Sequence, residues 1–187
     1  KFAFLDGGLS SNWCLIHTDK TVECSWSLSW SAGVAALSGV ESIVDISNGV
    51  CALKSDASVV CAGNNDSWFI DTFNTQFAEQ GTFTKLVSYK WILCGIKSDK
   101  TVACFRSFGG SSYGQGGSTA ATAINSLTNV DGLYVGNDAM CGTQENGVIK
   151  CWSSSSEYSN TIFDSYYLLN VGEPIKKLVL SWNQFGC

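Results

Sequence analysis

The chain has 187 residues, 45% hydrophobic and 14% charged, enough apolar material for a buried core and too much for an intrinsically disordered segment. Its formal net charge is −5, and its eleven Lys and Arg are scattered, with Lys176-Lys177 the one adjacent pair. That excludes the basic stripe on which nucleic-acid and anionic-membrane binding depend.

Nineteen Gly, one Pro and short apolar runs set among Ser, Asn, Gly and Asp predict an all-β chain of short strands and tight turns. No apolar run approaches the roughly 18 residues that cross a bilayer, so no direct membrane insertion is expected. The chain opens at Lys1 without a Met or a secretory leader, as a processed or excised piece of a longer product would.

The first predicted strand is Phe2 to Leu5, and the first stapled unit follows it between Cys14 and Cys24. Cys51 and Cys61, Cys94 and Cys104, and Cys141 and Cys151 repeat the same spacing of ten positions. The pairs start 37, 43 and 47 residues apart, a period shared by propeller blades and some helical repeats.

Turn formers stand midway between the cysteines, as in Ser55-Asp56-Ala57-Ser58, Ser98-Asp99-Lys100-Thr101 and Glu145-Asn146-Gly147, with β-prone stretches on either side. Each unit therefore reads as a β-hairpin. A hairpin closing about Asp56 sets Cys51 opposite Cys61, close enough for a disulfide. Zinc favours close C-x2-C pairs, often with histidine, and His17 is the single histidine, so four local disulfides are preferred to a metal site. Each would contribute about 2–3 kcal/mol and fix hairpin register. Four bridges imply an oxidising compartment, secreted or extracellular.

Another apolar strand precedes each later hairpin, at Ile43-Val44, Leu86-Val87 and Leu133-Tyr134. A Gly/Ser/aromatic loop and a further strand are expected after each one. Leu178-Val179-Leu180 begins a fifth unit whose first cysteine is Cys187, with further blades expected beyond it.

The order of apolar strand, Cys-x-Leu/Ile, Ser-Asp-x-Thr/Ser-Val, Cys and Gly-rich loop resembles the regulator-of-chromosome-condensation repeat. Tyr113-Gly114-Gln115-Gly116-Gly117 is similar to that family's Gly-Gln-x-Gly segment. The cysteine pair inside the hairpin is closer to secreted members such as crinkly-type receptor ectodomains. Cys151-Trp152 keeps the Cys-Trp junction of such blades; the other three hairpins depart from it. The resemblance implies a β-propeller of about four blades plus the start of a fifth, a partial ring within one domain spanning 1–187. It also implies a binding platform, without naming the ligand.

Candidate chemistry is sparse. His17 sits beside a turn, and no Gly-x-Ser-x-Gly elbow accompanies it, so no catalytic residue is assigned. Asp19, Asp56, Asp99 and Glu145 read first as turn residues, and only second as a ring of carboxylates for metal or glycosidic chemistry. Among seven Trp, Trp30 and Trp68 lie in inter-hairpin loops and are the candidates for exposed ligand-stacking platforms. The Gly-rich run 107–118 lacks the Lys-Ser/Thr ending of a phosphate loop, and no cofactor is implied. Asn65-Asp66-Ser67 is an N-glycosylation sequon.

The expected function is a non-enzymatic extracellular recognition or assembly module for a protein or a glycan, on its own or as the ectodomain of a membrane protein. A structural subunit of an extracellular filament or wall, self-associating through open blade edges, is one alternative. A carbohydrate-active enzyme is the other.

Overall fold

The computed structural model describes residues 2–4, 13–25, 31–46, 49–63, 68–89, 92–106, 127–135, 139–153, 165–175 and 178. Its strands form four antiparallel sheets in chain order. The first holds β1 (Phe2–Phe4), β2 (Trp13–Ile16) and β3 (Val22–Cys24). The second holds β4 (Val40–Ile46), β5 (Gly49–Lys54) and β6 (Val59–Gly63), and the third β7 (Phe83–Tyr89), β8 (Ile92–Lys97) and β9 (Val102–Arg106). The fourth runs β10 (Val130–Val135), β11 (Ala139–Gln144), β12 (Val148–Ser153) and β13 (Ser165–Asn170). These are consecutive propeller blades, and the all-β reading holds.

Two helices interrupt the β pattern: α1 (Ser31–Ala35) and α2 (Trp68–Gln80). The loop and further strand expected after each hairpin are thus corrected in the first two blades, where α1 and α2 stand instead; after the third hairpin residues 107–126 lie outside the described residues. For α2 the physical reason is the spacing of Ile70, Phe73 and Phe77, which a helix gathers on one buried face. A fourth strand does follow the fourth hairpin, as β13.

Each cysteine pair is a directly opposed cross-strand pair with Cα atoms 4.0–4.1 Å apart, and each forms a disulfide. Such proximity marks the non-hydrogen-bonded site of an antiparallel ladder. The register inferred from the cysteine spacing is therefore correct.

The core is three successive layers between sheets and a smaller fourth cluster beyond the last sheet. Cys14, Ile16 and Val22 of the first blade pack with Val34, Leu37 and the second blade's Val40, Ile43 and Val50. The Cys51–Cys61 disulfide lies in the next layer with Phe73 and Phe77 of α2 and Phe83 and Leu93 of the third blade. The Phe77 ring meets those of Phe83 and Phe105 at centroid distances of 4.9 and 4.8 Å. Cys94 and Cys104 face Leu127, Leu133 and Met140 of the fourth blade, and the Cys94 sulfur is 3.4 Å from that of Met140. Cys141 and Cys151 lie under Ile175 and Leu178. Every disulfide thus points toward the chain that follows it.

The residue before each first cysteine points the other way. Val50, Leu93 and Met140 are 0–1% exposed beneath the preceding blade, whereas Trp13 at the equivalent place is 42% exposed.

Candidate functional site

The hairpin tips are built alike. His17, Lys54, Lys97 and Gln144 each accept through their carbonyl from the N–H three residues on, at Lys20, Ala57, Lys100 and Gly147. Those four residues have φ between 63° and 80°. This is a type I turn closed by a left-handed residue, which joins strands without splaying them.

Asp19, Asp56 and Asp99 cap these turns. Each carboxylate accepts from the backbone N–H and the hydroxyl of the residue two positions on, Thr21, Ser58 or Thr101, at 2.5–3.1 Å. Hydrogen bonds from those hydroxyls, then from those N–H groups, hold all three carboxyls below the usual range. They are ionised acceptors committed to a turn, unsuited to donating a proton. In the fourth hairpin this role belongs to Asn146, whose side-chain oxygen accepts from the Val148 N–H at 3.2 Å. Glu145, grouped with the aspartates on sequence, is one position out of phase: it follows its cysteine by four residues and they follow theirs by five.

The tips also clasp their neighbours. The carbonyls of Lys20, Ala57 and Lys100 accept from Val40, Phe83 and Val130, the first strand residues of the next blade, at 2.8–3.0 Å. That of Gly147 accepts from Val171. In the opposite sense, the N–H groups of Ser55, Ser98 and Glu145 donate to Gly39, Thr82 and Asn129 just before their own blades' first strands.

The three junctions carry different side chains on this frame. Between the first and second blades, Lys20 donates to Glu41 and Ser55, and the Ser55 hydroxyl also reaches Glu41 at 2.8 Å. On the third blade's side of the next junction, the Thr82 and Ser98 hydroxyls meet at 2.8 Å. Between the third and fourth, Lys100 pairs with Glu145, and a cleft of about 410 Å³ opens beside them.

Lys85 and Asp131 line that cleft. The Lys85 ammonium lies 4.9 Å from the centre of the Tyr134 ring. Burial lowers its pKa, with the attraction of Asp131 opposing the shift. The Asp131 carboxylate takes its hydrogen bond from Thr143.

Of the remaining sequence-based candidates, Trp68 opens α2 and is not a loop residue, its place in a helix following from the Ile70, Phe73 and Phe77 spacing. Trp30, Asn65, the run 107–118 and Cys187 lie outside the described residues. Leu178 is described and is not in a strand; Val179 and Leu180 lie outside. His17 is exposed and meets Glu23 at 3.2 Å. Among the described residues no cluster of three His, Cys, Asp or Glu could hold a metal ion, and no helix is long and apolar enough to cross a membrane.

Sequence reasoning missed Asn74. Its side chain forks onto Cys61, accepting from the N–H at 2.6 Å and donating to the carbonyl at 3.0 Å. A helix-facing Asn leaves no periodic signal.

No protein-family model matches the chain, and no curated protein matches it in sequence. Solved structures do. Prp20p from Saccharomyces cerevisiae, whose binding to Gsp1p and histones is described with it, superposes over 89% of this chain at 11% identity and a TM-score of 0.53. The entire ectodomain of receptor kinase CR4 from Physcomitrella patens superposes over 76% at 16% identity, with a TM-score of 0.50. The CRINKLY WD40 ectodomain of the Arabidopsis thaliana receptor kinase ACR4 covers 82% at 13% identity, with a TM-score of 0.49. The chain spans 48%, 38% and 52% of those three structures. Its fold is that of a regulator-of-chromosome-condensation-like propeller.

Proposed function

We propose that this chain is a non-enzymatic recognition module working outside the cell, which presents the turn rim of its blades to a protein. The carrying observation is the rim itself: one rigid turn repeated four times, with different side chains at each junction. That arrangement separates a stapled scaffold from a variable surface, as binding platforms do. Four disulfides and the likeness to a receptor ectodomain support an extracellular setting. The turn aspartates are committed as ionised caps, which counts against the glycosidic reading.

The test is capture of secreted ectodomains by the intact chain, repeated with Ser98→Arg and Glu145→Arg. Loss of a partner on rim substitution supports the reading. Capture indifferent to every rim variant would overturn it, and an occupied Asn65 sequon in secreted material would bear separately on the compartment.

We also read the 187 residues as one repeat domain completed by further blades or by a second copy. Trp13 supports this, because its counterparts are covered by a preceding blade. A native mass equal to a single chain, with Trp13 emission fully water-exposed, would remove that reading.

One observation favours the filament alternative. Leu168 and Leu169 on β13, the last strand among the described residues, and Val171 after it are 60%, 47% and 44% exposed, an apolar stretch within a strand that itself carries no charge or Pro. Concentration-dependent light scattering that disappears with Leu168→Lys would separate assembly from recognition.

A further inference from the structure

We infer that the cleft between the third and fourth blades is a binding site for a sugar acid, a polyhydroxylated monocarboxylate of hexuronate type, with Lys85 holding its carboxylate. The inference goes beyond the proposed protein recognition and does not depend on it.

The third blade alone places lysine at three positions that converge on its junction, Lys85, Lys97 and Lys100. The second blade has Ser42, Lys54 and Ala57 there, and the fourth Gly132, Gln144 and Gly147. Lys97 is held by Asp99 at 3.6 Å and Lys100 by Glu145. Lys85 differs. Its half-buried ammonium faces the Tyr134 ring and is attracted by Asp131, with no hydrogen bond between the two among the described residues.

A cation drawn out of water needs an acceptor, and an anion in the cleft supplies one.

The other lining groups narrow the ligand. Asp131 and Glu145 would repel a compact dianion such as sulfate, yet they accept hydrogen bonds from neutral hydroxyls. Ser98 adds a hydroxyl at the rim, and a volume of about 410 Å³ suits one sugar-sized ligand. A carboxylate for Lys85 and hydroxyls for Asp131 and Glu145 describe a sugar acid better than a bare anion or a neutral sugar.

Titration of the intact chain with sodium glucuronate, glucose, sodium acetate and sodium sulfate, followed by calorimetry and amide NMR shifts, tests this. Glucuronate should saturate at millimolar concentration or below, with glucose and acetate at least about tenfold weaker. Lys85→Met should weaken glucuronate by about tenfold or more without altering the amide spectrum of the first two blades. Should that variant not fold, the unmodified chain decides: the amides of Lys85 and Asp131 must shift at saturation. Equal binding of acetate or sulfate, unaltered affinity in Lys85→Met, unmoved amides at Lys85 and Asp131, or no saturation by glucuronate would each overturn the proposal. A rim-directed protein partner could still be found in every such case.

Discussion

The outer edges of the second and fourth blades solve one problem in two ways. Each hairpin's last strand carries a cysteine whose N–H and carbonyl point away from the hairpin, because the cysteine pair occupies a non-hydrogen-bonded site. In the fourth blade the answer is another strand, with Tyr167 of β13 opposite Cys151. In the second it is a helix, and the Asn74 amide makes with Cys61 the two hydrogen bonds a strand would make. The helix also fills the next layer with Phe73 and Phe77. β13 instead leaves Leu168 and Leu169 in water. An edge can therefore be closed by a single side chain when the helix carrying it is anchored by aromatic packing.

The sharpest way to break this contrast is Phe77→Ala. Phe77 is 1% exposed between two other rings, and its loss should cost about 3–5 kcal/mol in chemical denaturation. Leu168→Ala, on the fourth blade's edge, should stay within about 0.5 kcal/mol. Similar losses at both sites would show that α2 is not the anchor.

Next comes Asn74→Ala, which leaves the Cys61 N–H and carbonyl without their fork and should cost about 1–3 kcal/mol. Hydrogen exchange at the Cys61 amide should rise, while exchange at Cys151 stays as it was. No change at Cys61 would mean that water serves the edge equally well.

Asp45 sharpens the comparison through pH. It occupies a β4 position where β10 has Val135, and burial raises its carboxyl to about 6. Since the folded value lies above the unfolded one, its contribution is best below about pH 4 and declines as pH rises toward 6. Asp45→Asn should remove that decline, gaining about 1 kcal/mol at pH 7 and nothing at pH 4; partial solvent access reduces the full linkage value. The turn aspartates act oppositely. Their lowered pKa values add stability above the unfolded value that is lost as pH falls through the folded one. A flat Asp45→Asn difference across this range would contradict the burial account.

The smallest effect belongs to the turns. Ala57 has φ 65°, so Ala57→Gly should gain up to about 1 kcal/mol. Gly147→Ala should lose stability, because an added Cβ would lie 2.5 Å from backbone atoms of Glu173. The same sign for both changes would refute a shared turn geometry.

Much of this was legible in the chain. Ten-residue cysteine spacing with a turn former midway specifies strand direction, register and pairing at once, because a two-residue alternation tolerates no slip. The helix was not read, since aromatic and β-branched residues in Trp68–Gln80 suit a strand locally and only the three-to-four spacing of Ile70, Phe73 and Phe77 reveals a helical face. The cleft was beyond reach for another reason. Lys85 comes from one blade and Asp131 from the next, so their proximity depends on packing between sheets.

The clasp from each turn carbonyl to the following segment gives the molecule a temporal direction. A chain delivered N-terminus first can finish a hairpin, oxidise its short loop and offer the next segment an acceptor already in place, as Lys20 does for Val40. Assembly of this kind proceeds by templating rather than by search, with each blade serving as the seed for its successor. Pulse-chase thiol trapping should find Cys14 and Cys24 protected before Cys141 and Cys151, and the reverse order would exclude it.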